Sequence, residues 1–133
     1  MSNTKQKMMN QVVHFEIPVD DMESAKAFYS IFGWELTDMP DMDYVGVCTT
    51  PVDENRVPKA PGGINGGLMK RTDQVRSPVI AVEVDSVDKY INKVKVKGGE
   101  LVMPKMEVPG MGYYAYVKDP EGNIFGLWEA FAS

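Results

Sequence analysis

The chain has 133 residues, of which 44% are hydrophobic and 25% are charged, a composition typical of a single globular domain. The formal net charge of −5 at pH 7 argues against nucleic acid or an anionic membrane as a partner, because both require clustered lysine and arginine. A lone cysteine, Cys48, excludes an internal disulfide or a cysteine-rich zinc site, and the chain shows neither a secretory leader nor an apolar stretch of membrane-spanning length. We therefore expect a cytoplasmic protein with one domain, residues 1–133.

An internal repeat organises the chain. Residues 13–36 align with residues 78–101 without a gap, and the identities fall where one structural element would give way to the next. These identities are Val19 with Val84, Asp20 with Asp85, Gly33 with Gly98, Glu35 with Glu100, and Leu36 with Leu101. The repeat predicts two copies of one module, at about 12–70 and about 78–130, after a polar and loosely ordered tail at 1–10.

Each copy begins with a strand and continues into a helix. The first strands, at 14–19 and 79–84, are short runs of β-branched or alternating apolar residues. Asp20 and Asp85 then stand where a capping residue starts a helix, each with an acid three residues later in the first turn. A stripe of apolar residues at helical spacing follows in each copy and ends at the glycine that the two copies share.

Strands predominate after each helix. In the second copy, runs at 113–117 and 124–129 flank the sequence Asp-Pro-Glu-Gly-Asn, which is typical of a tight turn. The first copy carries an insert at 50–63, rich in proline and glycine, which we interpret as an exposed loop. This loop and residues 105–112 are segments able to cover a cleft, and residues 69–78 are the linker between the modules.

The order of strand, helix and three strands, found twice, predicts an α+β fold. Two paired βαβββ modules would form a curved mixed sheet around a cleft, with both amphipathic helices on the outer face. The concave face between the modules is then the place to expect a ligand.

Three segments resemble the vicinal oxygen chelate superfamily. They are the strand–helix unit HFEIPVDD…AFYSIFGWEL in residues 14–36, its second copy, and the closing run DPEGNIFGLWE in residues 119–129. The superfamily includes glyoxalase I, extradiol dioxygenases, and fosfomycin- and bleomycin-resistance proteins, and the chain is similar to a glyoxalase-like branch of it over roughly residues 12–130. The resemblance implies the duplicated βαβββ fold and a homodimer, and it leaves open whether the cleft lies within one chain or across two.

Metal-dependent members of the superfamily carry one ligand on the first strand and one on the last strand of each module. Carried over position by position, the resemblance implies ligands at His14, at about Gly67, at Val79 and at Gly126. Only His14 can coordinate a metal, so we expect no metal or other cofactor, with a divalent ion as the alternative. Glu129 lies three residues past the last ligand position, and strand alternation turns it to the opposite face.

Strand alternation places His14 and Glu16 on one face of the first strand, with Phe15, Ile17 and Val19 on the face that packs against the helix. A histidine two residues from a carboxylate could transfer protons, and we name both as candidate catalytic residues. The alternative for His14 is a hydrogen-bonded polar group that lines the sheet. The alternative for Glu16 is a carboxylate that faces solvent in a wide cleft.

The other positions that face the cleft are small or apolar, apart from one aromatic. They form the candidate ligand-binding set Asn65, Gly67, Met69, Val79, Gly126 and Trp128. The two glycines are expected to leave room for a small molecule where metal-dependent relatives have ligands. Trp128 would stack against a flat ligand or would pack in the core.

These features favour a small-molecule-binding protein that holds a partly apolar or aromatic ligand in the cleft without metal, as bleomycin-resistance members do. The alternative is a metal-dependent lyase, isomerase or dioxygenase that acts on a vicinal-oxygen substrate, with the ion at His14 and Glu16. A third hypothesis is a module with an occluded cleft whose surface binds another protein.

Overall fold

The computed structural model describes residues 9–55 and 57–131, which form eight strands and two α-helices. Module one contains β1 (Val12–Val19), α1 (Met22–Tyr29), β2 (Glu35–Met39), β3 (Tyr44–Cys48) and β4 (Asn65–Lys70). Module two contains β5 (Val79–Glu83), α2 (Val87–Val96), β6 (Glu100–Val108), β7 (Gly112–Lys118) and β8 (Ile124–Ala130). Short 3₁₀ turns lie at Ser30–Phe32 and Pro40–Met42. The predicted α+β fold of two βαβββ modules is confirmed.

All eight strands belong to one mixed sheet, in the order β2-β3-β4-β1-β5-β8-β7-β6. The modules meet where β1 pairs antiparallel with β5, in a register that sets His14 opposite Ala81 and Glu16 opposite Val79. On its other side, each of these first strands pairs parallel with the last strand of its own module, β1 with β4 and β5 with β8. The two modules are therefore joined side by side within a single chain.

The internal repeat is reproduced in the pairing of the strands. Glu16 of β1 lies opposite Gly67 of β4. Its repeat partner, Ala81 of β5, lies opposite Gly126 of β8. The same residue of the repeat thus faces the same glycine of the last strand in both modules.

Both helices are capped one residue later than the sequence predicted. The capping side chains belong to Asp21 and Ser86, which accept hydrogen bonds from the backbone N–H three residues on, at 3.1 Å and 3.2 Å. The prediction of Asp20 and Asp85 is wrong because the extended backbone that a cap requires falls on the following residue. Asp20 and Asp85 instead form ion pairs with neighbouring basic side chains.

The glycine that ends the helical segment of each module has a left-handed backbone, as predicted. The φ angle is 75° at Gly33 and 94° at Gly98. A side chain at either position would be strained, which explains why both copies keep glycine there.

Two predicted connections are shorter than the sequence suggested. β6 continues to Val108, so most of residues 105–112 are strand and not loop, because they pair along β7. The linker predicted at 69–78 begins only after β4 ends at Lys70. Its Val75 is fully buried and packs in a cluster with Val79, Ala81, Tyr114 and Tyr116 of the second module.

The helices cover one face of the sheet. Phe15 and Ile17 pack beneath α1, in a cluster centred on Val45, Val47 and Leu68. A second cluster beneath α2 is formed by the buried residues Val84, Val87, Ile91, Ala115, Val117 and Leu127. Side chains that alternate with these point to the opposite face, which carries the candidate site.

Across the described residues, no helix is both long and apolar enough to span a bilayer.

Candidate functional site

A cavity of about 1270 Å³ lies on the face of the sheet away from the helices. Module one lines it with residues of β1, β3 and β4, and module two lines it with residues of β6, β7 and β8. Val52 and residues 57–63 of the predicted loop also line the cavity, in keeping with a segment that covers a cleft. One chain therefore encloses the cleft between its own two modules, in a volume sufficient for a sizeable small molecule.

Glu16 lies in the floor of this cavity, and only 7% of the residue is exposed. Its carboxylate accepts two hydrogen bonds from phenols. Tyr44 donates to Oε2 at 3.2 Å, and Tyr116 of the other module donates to Oε1. Glu16 of module one is therefore hydrogen-bonded to module two beneath the cleft.

Burial raises the pKa of the Glu16 carboxyl, because the charged form loses its contact with water. The hydrogen bonds from Tyr116 and Tyr44 oppose this shift, as does the nearby phenol of Tyr114, since all three favour the carboxylate. The effect of burial is larger than that of the hydrogen bonds, so keeping Glu16 ionised in the folded protein costs free energy. Such a group in a cleft is typical of a functional site.

His14 extends the same hydrogen-bonded chain. Its Nε2 lies 3.0 Å from the Tyr44 hydroxyl oxygen and 3.9 Å from Glu16 Oε2. Burial lowers the pKa of His14 to about 4, so the imidazole is neutral at pH 7. When Glu16 is ionised, the single phenol proton of Tyr44 is donated to the carboxylate, and the imidazole would then carry its proton on Nε2 and donate to Tyr44.

Tyr114 completes the aromatic part of the site. Its ring centroid lies 4.9 Å from that of Tyr116, 6.3 Å from that of Trp128 and 6.5 Å from that of His14. Its hydroxyl is buried and has no hydrogen-bond partner among the described residues. Buried polar atoms are nearly always satisfied, so this hydroxyl is an exception in the described part of the chain.

The rings of Tyr44 and Tyr114 lie directly over two glycines. A Cβ atom on Gly67 would stand 2.0 Å from the Tyr44 hydroxyl oxygen, and one on Gly126 would stand 2.0 Å from the Tyr114 hydroxyl oxygen. The expectation that Gly67 and Gly126 leave room for a ligand is therefore wrong. The room that the missing side chains leave is filled by tyrosine.

The structure brings together most, but not all, of the residues that the sequence singled out. The cavity is lined by His14, Glu16, Asn65, Met69 and Trp128, whereas Gly67, Val79 and Gly126 do not reach it. Val79 is only 1% exposed because the rings of Tyr114 and Tyr116 cover it. Asn65 lines the cavity while its side-chain oxygen binds the backbone N–H of Thr49 and of Thr50, at 2.7 Å and 3.1 Å.

From the sequence, about half of the phenols of Tyr44, Tyr113, Tyr114 and Tyr116 are expected to face inward, but the sequence did not place three of them around Glu16, and it did not predict the methionines of the cavity wall. The methionines are Met39, Met42, Met69, Met103, Met106 and Met111, of which only Met69 was named as a candidate. Strand alternation, applied to β3 and β7 as it was to β1, carries the signal for Tyr44, Tyr114 and Tyr116.

The donor set does not fit the metal centre implied by the resemblance. Within residues 9–55 and 57–131, no three histidine, cysteine or carboxylate side chains come close enough to hold one ion. His14 and Glu16 supply two donors, and a structural or catalytic site requires at least three from the protein. Glu129 lies on the opposite face, as predicted, where it accepts a hydrogen bond from the backbone N–H of Val87 at 2.8 Å.

Known structures share this architecture. Methylmalonyl-CoA epimerase from Mycobacterium tuberculosis superposes with a TM-score of 0.59 at 16% identity, covering 96% of this chain and 95% of that one. A glyoxalase/bleomycin resistance protein/dioxygenase superfamily member from Vibrio splendidus 12B01 has a TM-score of 0.59 at 15% identity, covering 92% and 100%. In sequence, residues 11–50 match the family described as bleomycin resistance protein-like N-terminal. The chain belongs to the vicinal oxygen chelate superfamily.

Two curated proteins are similar along most of the chain. The proposed glyoxylase CFP32 of Mycobacterium tuberculosis is 30% identical over 116 residues, which cover 86% of this chain and 44% of that protein. The anthracycline biosynthesis protein DnrV of Streptomyces peucetius is 28% identical over 132 residues, which cover 86% of this chain and 45% of that protein. The chain spans less than half the length of these two relatives.

Proposed function

We propose that this protein binds a small, partly apolar or aromatic molecule in the cleft between its modules, and that it does so without the metal of the superfamily. The observation that carries this proposal is the pair of tyrosine rings over Gly67 and Gly126. Two of the four metal-ligand positions have no side chain, and tyrosine fills the space above each. A single imidazole, His14, remains of the implied set.

The wall of the cavity suits an apolar ligand of variable shape. Six methionines line it, and their flexible, polarisable side chains adapt to irregular partners. Trp128 adds a flat aromatic surface at the same site. The wall supplies apolar contact area and the Glu16 carboxylate in the floor supplies hydrogen-bond acceptors, a combination that is usual in ligand pockets.

Two relatives support an aromatic ligand. DnrV and DauV, which are 28% and 26% identical to this chain, are both named as anthracycline biosynthesis proteins. Anthracyclines are built on fused aromatic rings, and a cavity of about 1270 Å³ would accept a molecule of that class.

A second candidate function is metal-free proton transfer, and the His14–Tyr44–Glu16 chain favours it. A carboxyl that lines a cleft, with a pKa raised by burial, is suited to act as a general base or acid. The metal-dependent lyase, isomerase or dioxygenase remains the alternative, and the metal content of the protein separates it from both.

The test combines metal analysis with tryptophan fluorescence. Untagged protein, as purified and after loading with Fe, Ni, Co, Mn or Zn, is expected to hold less than about a tenth of an equivalent of metal by mass spectrometry. A panel of fused-ring aromatic compounds is then screened by thermal shift, and the compounds that stabilise the protein are expected to quench the fluorescence of Trp128.

Trp34 provides the matched control. It stacks on Tyr29 at a centroid distance of 5.7 Å, in the cluster beneath α1 and on the other face of the sheet. Trp34→Phe is expected to leave the quenching intact, whereas Trp128→Phe is expected to abolish it. One equivalent of metal that is lost on His14→Ala, or a panel in which no compound stabilises the protein, would contradict the proposal.

A further inference from the structure

The Glu16 carboxylate is a buried acid without a permanent positive partner in the described part of the chain. The basic atom found within 4.0 Å of it is His14 Nε2, at 3.9 Å. That imidazole is neutral at pH 7, because burial lowers its pKa to about 4. Lys59 and Lys70 also line the cavity, but neither lies within 4.0 Å of the carboxylate, and Lys70 is paired with Asp43 at 3.5 Å.

The carboxylate also retains unused hydrogen-bonding capacity. An ionised carboxylate has about four acceptor positions, two on each oxygen. Tyr44 occupies one on Oε2 and Tyr116 occupies one on Oε1. Each oxygen can therefore accept one further hydrogen bond, and Glu16 lines the cavity from which a ligand would donate it.

Aromatic rings surround this acid. Tyr44, Tyr114, Tyr116 and Trp128 all line the cavity, and the rings of Tyr114, Tyr116 and Trp128 form a contiguous group with centroids 4.9–6.3 Å apart. The faces of such rings attract cations and repel anions, most strongly where water is excluded. Burial keeps all three phenols neutral, since it raises the pKa of each.

We propose that the ligand carries a cationic nitrogen, such as a protonated amine, which is seated against Glu16 among the rings of Tyr44, Tyr114 and Tyr116. This inference rests on the proposed function, because it names the chemical class of the molecule that occupies the same cleft. A cation would use the open acceptor positions of the carboxylate and the aromatic faces together, and the methionines would hold the apolar remainder of the ligand. A neutral ligand would leave the buried acid without a positive partner.

The test compares two compounds of the same shape by isothermal titration calorimetry at pH 7.5. 1-Naphthylmethylamine is cationic at this pH, and 1-naphthylmethanol is its neutral counterpart. The wild-type protein is expected to bind the amine at least about tenfold more tightly, as one desolvated charge-assisted contact would provide. Glu16→Gln is expected to remove this preference and to retain binding of the alcohol.

Glu83→Gln is the matched control. Glu83 lines the same cavity but is exposed, so its substitution removes the same charge from the pocket without touching the floor. This variant is expected to keep the preference for the amine. Circular dichroism verifies that both variants are folded.

The outcomes separate the two proposals. Equal affinity for amine and alcohol in the wild-type protein, or a preference that survives Glu16→Gln, would overturn the cationic ligand and leave the binding pocket standing. Failure of both compounds to bind at millimolar concentration would count against the pocket as well. If Glu83→Gln also removes the preference for the amine, the preference comes from the overall negative charge of the cavity, and the specific role of Glu16 is overturned.

Discussion

Tyr44 and Tyr114 occupy equivalent positions in the two modules, although the strands that carry them lie outside the gapless repeat. Tyr44 lies opposite Met69 in the β3–β4 pair, and Tyr114 lies opposite Trp128 in the β7–β8 pair. Each ring covers the glycine of the last strand of its own module. The pair is symmetric, but the acid between them is not, since the repeat partner of Glu16 is Ala81.

Gly126→Ala is expected to destabilise the protein more than Gly67→Ala. The new methyl group would approach the partner tyrosine equally closely in both, at 2.0 Å, but Tyr114 is only 6% exposed and has less space to move than the half-buried Tyr44. At Gly126 the Cβ of Ala81 also lies 3.0 Å away. We expect a loss of about 2–3 kcal/mol in the free energy of unfolding for Gly126→Ala and about half of that for Gly67→Ala, measured by urea denaturation.

The paired variant Gly126→Ala with Tyr114→Ala checks the cause. If the clash with Tyr114 is responsible, the double variant will be more stable than the sum of the two single losses predicts. Strictly additive losses would show that the methyl group disturbs something other than the ring.

Glu16→Gln is expected to stabilise the protein at neutral pH. Burial raises the pKa of Glu16, so the folded protein binds the carboxyl proton more tightly than the unfolded chain does. The wild-type protein therefore loses stability as the pH rises from the pKa of the unfolded carboxyl through that of the folded one. Glutamine carries no charge to desolvate and can still hydrogen-bond both phenols. We expect the melting temperature to rise on the order of 2–5 °C at pH 8 and the difference to shrink toward pH 4, measured by circular dichroism.

The exposed Glu83 again serves as the comparison, because Glu83→Gln is expected to change the melting temperature little at any pH. A lower melting temperature for Glu16→Gln at pH 8 would mean that the phenol hydrogen bonds to the charge outweigh the cost of its burial.

His14 is expected to titrate with a midpoint near pH 4 in the folded protein. It is the only histidine of the chain, so its imidazole resonances in a ¹H–¹³C NMR spectrum of untagged protein need no assignment. Because burial lowers its pKa from 6.5 to about 4, the unfolded chain binds the proton first, and the protein loses stability as the pH falls through this interval. A midpoint above 6.5 would show that the negative charge of Glu16, not burial, controls the imidazole.

Tyr114→Phe and Tyr116→Phe form a matched pair on one strand. Both residues are buried, at 6% and 5% exposure, but only the Tyr116 hydroxyl has a hydrogen-bond partner, the Glu16 carboxylate. Tyr116→Phe is expected to cost about 1.5–3 kcal/mol of unfolding free energy, as the loss of a hydrogen bond to a charged group does. Tyr114→Phe is expected to be close to neutral, because the buried hydroxyl has no direct hydrogen-bond partner among the described residues and favours the Glu16 carboxylate only through its proximity. Equal losses in the two variants would show that the Tyr114 hydroxyl is bonded in solution.

The sequence predicts the fold well because the signals that define it are local. The shared glycines Gly33 and Gly98 mark the ends of equivalent helical segments, and the alternation along β1 separates His14 and Glu16 from the helix-packed Phe15 and Ile17. Each of these inferences uses residues that are near one another in the chain, where the periods of helix and strand apply directly.

The centre of the site is less predictable because it depends on register between distant strands. The gapless repeat covers only 13–36 and 78–101, and the offset between the copies changes from 65 residues at Leu36 and Leu101 to 70 residues at Tyr44 and Tyr114. When the register between the strands is unknown, the absence of a side chain at Gly67 or Gly126 suggests open space for a ligand. The same glycine in the folded protein accommodates a ring from the neighbouring strand.

The linker between the modules also determines where the cleft can be assembled. Val75 is fully buried against the floor of module two, and its backbone N–H bonds the Thr72 side chain at 2.9 Å, so the linker is anchored at its middle. To exchange a module with another copy of the chain, the protein would have to withdraw this valine into water and part β1 from β5. We therefore expect the cleft to be assembled within one chain, and its binding site to persist unchanged when the protein is diluted far below the concentration at which any dimer survives.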